Sequence, residues 1–466
     1  MLITIDCLRY DITTSLIRQK KIPNLQKLAK KGLFFKRAIS TAPWTAPSVK
    51  SFLTSTYPLM YDGYVNFSPR KSFVRLLRKT GYSTISCQTN PWISRYFGFD
   101  GGFTSFIDDK RVVVQNLLAK LERVNLRNRN PFLYSSGAIV RFLVCFFSAF
   151  FNIWPRFCLQ SDQLTKANLE LMKDSKPPFF TWLHYMDCHE PHIPNKPNSF
   201  ISFKFGRIQS KLLENKRLSK DEILWTLSWY KDSIIRVDES IGLLLSKLEG
   251  MDINLDNTYF VLTSDHGQEF FEHGRFGHLL HLYDELIRVP LIMAGPELSP
   301  GVVSEQMSLI HLPSTMLGLL GFCEMPRNYL GRDLSQLLKE SRPNFPDNPA
   351  ISEEGVKNRE SLMSYDRSRI VKLDLGHRRI SYRSKGWKYI YNENASDELY
   401  NLNSDPGEQN NLFEEEKEIA KEFLERIDQH IRMEDKTKIM QREYLKIWNL
   451  SDRLGSTSRL QSQRSI

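Results

Sequence analysis

The sequence predicts an α/β protein: a doubly wound mixed sheet flanked by helices, with a small C-terminal α+β subdomain. Three observations predict it. Short apolar, β-branched runs alternate with longer segments of helical periodicity. Two of these runs, Leu2 to Ile5 and Tyr259 to Thr263, end almost directly on carboxylates, Asp6 and Asp265, where open α/β sheets place their ligands. A late stretch, Ile380 to Leu402, alternates like a hairpin. With 466 residues, 41% apolar content and 12% aromatics, the chain can bury one large core and a smaller satellite.

The elements follow in order. Leu2 to Ile5 is the first strand, short for a central one, and IPNLQKLAKKGLFFKRAIS gives a helix and the next strand. A Pro-punctuated turn then opens a helix at Thr45. Val74 to Thr80 followed by GYSTISCQTN is a helix and a parallel strand, and Phe179 to Leu183 is another strand. Leu218 to Leu248 is a long helix with apolar residues at helical spacing, leading into the strand at Tyr259. These elements form a catalytic domain over residues 1–342. Pro343 to Asn348 reads as a linker, 349–432 as the small subdomain closed by a helix from Glu414 to Ile431, and 433–466 as a basic polar tail.

The chemistry-bearing residues gather at the strand ends. Asp6, Asp265 and His266 are hard oxygen and imidazole ligands suited to one divalent ion, and Ca²⁺, Mg²⁺, Mn²⁺ and Zn²⁺ all fit them. Thr45 supplies a hydroxyl beside them, a nucleophile that such an ion would activate. Taken alone, Asp265 would read as a loop cap and His266 as a packed histidine. Arg9 and Asp11 follow the first aspartate, and Arg9 either pairs with a carboxylate or reaches substrate.

ITIDCLRYD, TAPWTAPSVKSFLTS, FFTWLHYMDCHEPHIP, SDHGQEFFEHG through YDELIRVPLI, and RSKGWKYIYNENASDELYNLNSDPGEQNNL stand in the order of segments in the sulfatase family of the alkaline phosphatase superfamily. The chain resembles that family over most of its length. The resemblance implies an alkaline-phosphatase-like fold and a metal-dependent hydrolase of sulfate or phosphate esters, with Asp6, Thr45, Asp265 and His266 at the metal. It places His189 toward the substrate and His278 as the acid beside the leaving oxygen, with an imidazole pKa near the working range. Lys50, Asn90, His184 and Arg9 are the substrate-binding candidates. His192 is expected to be structural, His273 to support the site, and His281 to neighbour His278 or lie on a helix surface.

The chain also departs from the family pattern. Sulfatases that use formylglycine make it from Cys or Ser in a C-x-P-S-R type signature, whereas this chain has Thr45, which cannot be oxidised to that aldehyde. Val49 replaces the signature arginine with Lys50 after it, and Thr89, Asn90 and Pro91 stand where many sulfatases carry a lysine and a histidine. No formylglycine is therefore expected. Threonine nucleophiles within the superfamily keep sulfate, phosphate and phosphonate esters open as substrates. Two alternatives remain at this point: a phosphoethanolamine- or phosphoglycerol-type transferase at a membrane surface, and a catalytically silent binding protein.

Charge and cysteine content narrow the setting. Lys and Arg outnumber Asp and Glu by 64 to 53, and seven basic residues against two acidic ones fall after Asp435. That tail has no base-reading motif, so a solvated tail or a loosely docked helix is expected, not a nucleic-acid partner. Six scattered cysteines show no disulfide or zinc rhythm, and buried thiols are expected. No signal peptide is visible, which reads as cytoplasmic, although the very short lead into the first strand suggests an incomplete N-terminus. Gly137 to Trp154 is nearly long enough to span a bilayer but is interrupted by Arg141, suggesting a core helix first, one at a membrane surface second and a spanning one last.

Overall fold

Fourteen strands and eleven helices appear in the computed structural model, which describes residues 1–60, 71–108, 159–194, 199–214, 216–251, 253–278, 280–340, 348–355 and 377–462. In chain order the first ten strands are β1 (Leu2–Ile5), β2 (Leu33–Ile39), β3 (Ser83–Gln88), β4 (Ser105–Ile107), β5 (Phe179–Tyr185), β6 (Phe260–Thr263), β7 (Glu269–Phe270), β8 (Phe276–Gly277), β9 (Arg288–Ala294) and β10 (Gly301–Ser308). Eight of them form one sheet in the order β10-β2-β9-β6-β1-β5-β3-β4, while β7 and β8 make a separate hairpin. Only β9 runs against its neighbours. The C-terminal ends of β1, β2, β3, β5 and β6 therefore share one edge. From β1 the chain passes to β2 on one side and later to β3 on the other, so Asp6 leaves the sheet at a topological switch point.

Helices cover both faces: α1 (Tyr10–Arg18), α2 (Pro23–Lys31), α3 (Thr45–Thr54), α4 (Phe73–Lys79), α5 (Ser161–Lys173), α6 (Ser199–Leu213), α7 (Lys220–Glu249), α8 (Asp284–Ile287), α9 (Leu312–Leu319) and α10 (Ser335–Lys339). Strand side chains alternate between two cores, as a pleated sheet buried on both faces requires. Leu2, Trp182 and Val261 join the core containing Phe52 of α3 and Leu317 of α9. Their neighbours Ile3, Leu183 and Leu262 join the core containing Leu25 of α2 and Ile241 of α7. Local signals set the helix starts: Pro23 opens α2, and Ser219 and Glu222 form a reciprocal capping box for α7.

The second sheet is fully antiparallel, with β11 (Ala350–Glu354), β12 (Arg379–Ser384), β13 (Trp387–Asn392) and β14 (Glu398–Asn401) in sequence order. Helix α11 (Lys417–Ser462) packs on it through Ala420, Phe423 and Ile427. The expected helix end at Ile431 is corrected, since α11 continues into the stretch taken for a polar tail. Lys, Glu, Arg and Met are good helix formers, and His430, Glu434 and Lys438 keep one face paired at four-residue spacing. The run from Gly137 to Trp154 and most of the expected linker lie outside the described residues. Among the described residues no helix is long and apolar enough to cross a membrane. Cys7, Cys87 and Cys188 are buried free thiols, whereas Cys323 is exposed.

A buried ion network joins the two sheets. Lys388 of β13, wholly buried, donates from Nζ to Leu282 O and Asp284 Oδ1, both at 2.9 Å, and pairs with Glu408 Oε1 at 2.5 Å. Arg383 of β12 holds both oxygens of Asp284, at 2.7 and 2.8 Å. Replacing Lys388 with Met would leave two buried carboxylates short of a cation. Chemical denaturation of Lys388→Met should show a loss of about 3–5 kcal/mol; a variant as stable as the parent would mean that the network does not fasten the subdomain.

Candidate active site

The site is assembled at the shared strand edge, where three successive segments are stitched together by small hydroxyls. Ser264, the residue after β6, has its Oγ 2.5 Å from Ile5 O and 2.6 Å from His266 O, and accepts a hydrogen bond from Leu8 N at 2.9 Å. It thereby locks the exit of β1 against that of β6. Ser40 and Ser48 approach the Asp265 carbonyl with their Oγ atoms, at 2.5 and 2.6 Å. Ser48 lies on the first turn of α3, so this contact docks the helix N-terminus onto the Asp265 loop. Gly267 allows the loop to lie flat, because a Cβ there would stand 1.9 Å from Glu285 O.

Four functional groups then converge. Thr45 Oγ1, at the first position of α3, donates to Asp6 Oδ2 at 3.2 Å and lies 3.3 Å from His266 Nε2. His266 Nε2 lies 3.5 Å from Asp6 Oδ1 and 3.4 Å from Asp265 Oδ2. Its other nitrogen, Nδ1, faces Gly267 O at 2.8 Å, which directs the Nε2 lone pair toward the carboxylates. All four residues are buried. Ligands held at about 2.4 Å and at right angles around one ion stand about 3.4 Å apart, so the observed spacing fits a divalent cation. Asp265 Oδ2, buried without a hydrogen-bond partner, is the atom such an ion would satisfy.

The surrounding side chains orient this cluster. Asn90 accepts from Trp92 N through Oδ1, which turns its Nδ2 toward Asp6 Oδ2 at 2.9 Å and Thr45 Oγ1 at 3.3 Å. His184 stands between Thr4 Oγ1, 2.8 Å from Nδ1, and Asp6 Oδ2, 3.2 Å from Nε2. This fits a tautomer that donates from Nε2 to Asp6. Burial works against charge at Asp6, yet His184, His189 and His266 hold its carboxyl well below the usual range. Asp265 shifts the opposite way: burial and the adjacent Asp6 push it up to about 7. Burial lowers His266 to about 4, leaving it neutral and able to ligate.

His189 and His278 face each other with ring centroids 5.0 Å apart, and the His278 ring lies 4.6 Å from that of His266. Burial opposes the protonated form of His189, but Asp6 and Glu190 outweigh it and raise its pKa. At His278 burial wins, pushing the imidazole down to about 3 despite Glu190 Oε2 at 3.8 Å. The sequence expectation of an ordinary imidazole pKa at His278 is thus corrected by its enclosure.

The other expected residues have partners of their own. The Arg9 guanidinium is held by Asp11 at 2.8 Å, Glu272 at 2.5 Å and Gln268 O at 3.0 Å. Lys50 is wholly buried in α3. His192 is buried against the rings of Tyr230, at 5.1 Å, and Phe270, at 5.5 Å. His281 pairs with Glu269 at 3.0 Å. Ser40, Ser48 and Ser264 escape sequence reasoning, because serines at strand ends are ordinary turn residues.

His273 faces Glu285 Oε1 with Nδ1 at 2.5 Å, Glu408 O with Nε2 at 3.1 Å, and stacks on Tyr283 at 3.6 Å. Burial disfavours its charge, but Glu285 prevails and raises its pKa to about 9. A raised folded pKa gives stability that is complete below the unfolded value of about 6.5 and lost as pH rises through about 9. The stability gap between the parent and His273→Gln should therefore shrink between pH 7 and 9.5 in denaturant titrations. A gap that widened would contradict the His273–Glu285 pairing.

The sequence profile of the Sulfatase family matches residues 1–322. An ulvan-active sulfatase of Formosa agariphila is 25% identical over 412 residues, covering 84% of this chain and 72% of the relative. An N-acetylglucosamine-6-O-sulfatase of Bacteroides thetaiotaomicron is 31% identical over 248 residues, covering 52% of this chain and 41% of the relative. Among solved structures, the phosphonate monoester hydrolase of Agrobacterium radiobacter superposes with a TM-score of 0.68 at 16% identity, over 94% of this chain and 95% of that one.

Proposed function

The chain belongs to the sulfatase family of metal-dependent ester hydrolases, and we propose that it cleaves anionic sulfate or phosphate esters with the Thr45 hydroxyl as nucleophile. The observation that carries this reading is the position of Thr45 Oγ1, within 3.3 Å of Asp6, His266 and Asn90 at a helix N-terminus. The names of the relatives point to sulfated sugars as one substrate class, and a threonine nucleophile makes phosphorus esters an equal one.

Asp6, Thr45, Asp265 and His266 would hold one divalent ion, which when bound draws charge onto the ester's non-bridging oxygens and acidifies the hydroxyl. Thr45 Oγ1 then attacks sulfur or phosphorus, its proton passing to Asp6 Oδ2, the acceptor it already faces. The bond to the leaving oxygen breaks with its electron pair, and that oxygen takes a proton from His189, the imidazole that Asp6 and Glu190 keep protonated, while the neutral His278 packs beside it. Asn90 Nδ2 and the N-terminus of α3 face the charge that develops at the attacked group. In the second half His189, now neutral, takes a proton from the water that attacks the ester on Thr45; sulfate or phosphate leaves as its bond to Oγ1 breaks, and Asp6 returns its proton to Oγ1. No aldehyde takes part.

Thr45→Ser should keep substantial activity, whereas Thr45→Ala should lose about three or more orders of magnitude in kcat/KM. Mass spectrometry of enzyme quenched during turnover should find a sulfate- or phosphate-sized adduct on the peptide carrying Thr45. Co-production with a formylglycine-generating enzyme should change neither result. An alanine variant as fast as the parent would make Thr45 a turn residue only.

Metal removal gives a separate check. Dialysis against a chelator should abolish activity and lower Tm, and divalent metal at about 100 times its Kd should restore about 2.7 kcal/mol of stability. Asp265→Asn should blunt both responses. Full activity after exhaustive chelation would contradict the metal centre.

A further inference from the structure

A second cluster of ligating side chains lies between the antiparallel sheet and α11. Glu353 of β11 has Oε1 2.5 Å from His430 Nε2, and Glu434, one turn further along α11, has Oε1 3.9 Å from the same nitrogen. Both glutamates are wholly buried, and the His430 side chain is 3% exposed. The far oxygen of each carboxylate is already taken. Glu353 Oε2 accepts from Leu59 N at 2.8 Å, and Arg378 and Lys438 both approach Glu434 through Oε2. The near oxygen of Glu434 is left buried with no hydrogen-bond partner, facing the imidazole.

We propose that Glu353, His430 and Glu434 form a second divalent transition-metal site, suited to Zn²⁺, which fastens α11 to the sheet. Zn²⁺ takes imidazole nitrogen and carboxylate oxygen, and three such protein ligands leave a fourth position open to water. Leu59 N and Arg378 orient the two carboxylates as outer-shell groups do. His430 and Glu434 are spaced four apart on one helix face, so backbone geometry alone brings them together. Binding requires the Glu353 and His430 atoms to open from 2.5 Å to ligand–ligand spacing, within reach of side-chain rotation. The site also borders the catalytic loops, since Glu353 N bonds Thr41 O at 2.8 Å and Ser352 Oγ bonds Ser40 O at 2.5 Å.

The test uses full-length Asp6→Asn/Asp265→Asn protein, in which the first centre is disabled, stripped with chelator and reloaded with Zn²⁺ or Co²⁺. One equivalent of metal by elemental analysis and visible d–d absorption from Co²⁺ are expected. Adding Glu434→Gln, nearly isosteric, should remove both signals while far-UV circular dichroism stays unchanged. In the otherwise unaltered chain, Glu434→Gln should lower the bound zinc by one equivalent and keep kcat/KM within about twofold. No retained metal in the Asp6→Asn/Asp265→Asn protein, or an equivalent that survives Glu434→Gln, would overturn the proposal; neither result depends on which ester is the substrate.

Discussion

Two carboxylates buried at the ends of adjacent strands are the constraint on which the rest of the site depends. Pairing of β1 with β6 sets Asp6 beside Asp265 in a place closed to water. Charge on one makes charge on the other costly, and the two respond oppositely: Asp6 is held low and Asp265 is pushed up to about 7. Asn90, Thr45 and His184 all turn their polar atoms toward Asp6 Oδ2, while Asp265 Oδ2 is left with none. A divalent cation removes this conflict at once, and the family's metal dependence follows from the same electrostatics.

Precision at the site comes from groups with no chemistry of their own. Ser264 fixes the spacing of the two strand exits, and Ser40 and Ser48 hold the Asp265 carbonyl against the start of α3. The hydroxyl of Thr45 is thereby presented at a helix N-terminus, whose partial positive charge suits an attacking oxygen. The antiparallel sheet adds a second tie through Lys388 and Arg383, which clamp Asp284 shortly after the segment carrying His273 and His278.

Much of this was legible in the sequence, because the signals were local. Apolar runs ending on Asp6 and on Asp265 and His266 announced strands with ligands at their tips, and the order of strand and helix announced the winding of the sheet. The extent of α11 was not legible, since its polar, basic composition reads equally well as tail or helix and only docking along the His430 face decides. The depressed pKa of His278 was also hidden, because enclosure arises from elements far apart in the chain. Arg9 illustrates a third limit: Asp11 was visible as a neighbour, whereas Glu272, which completes its pairing, lies 263 residues away.

The most direct measurement is a crystal structure of the metal-loaded protein, with anomalous scattering collected at the absorption edge of a bound transition ion such as Mn²⁺. The main peak should lie within coordination distance of Asp6, Asp265 and His266 with Thr45 Oγ1 at its rim. A peak elsewhere, or an ion at this cluster with Thr45 turned away from it, would contradict a threonine-centred hydrolase.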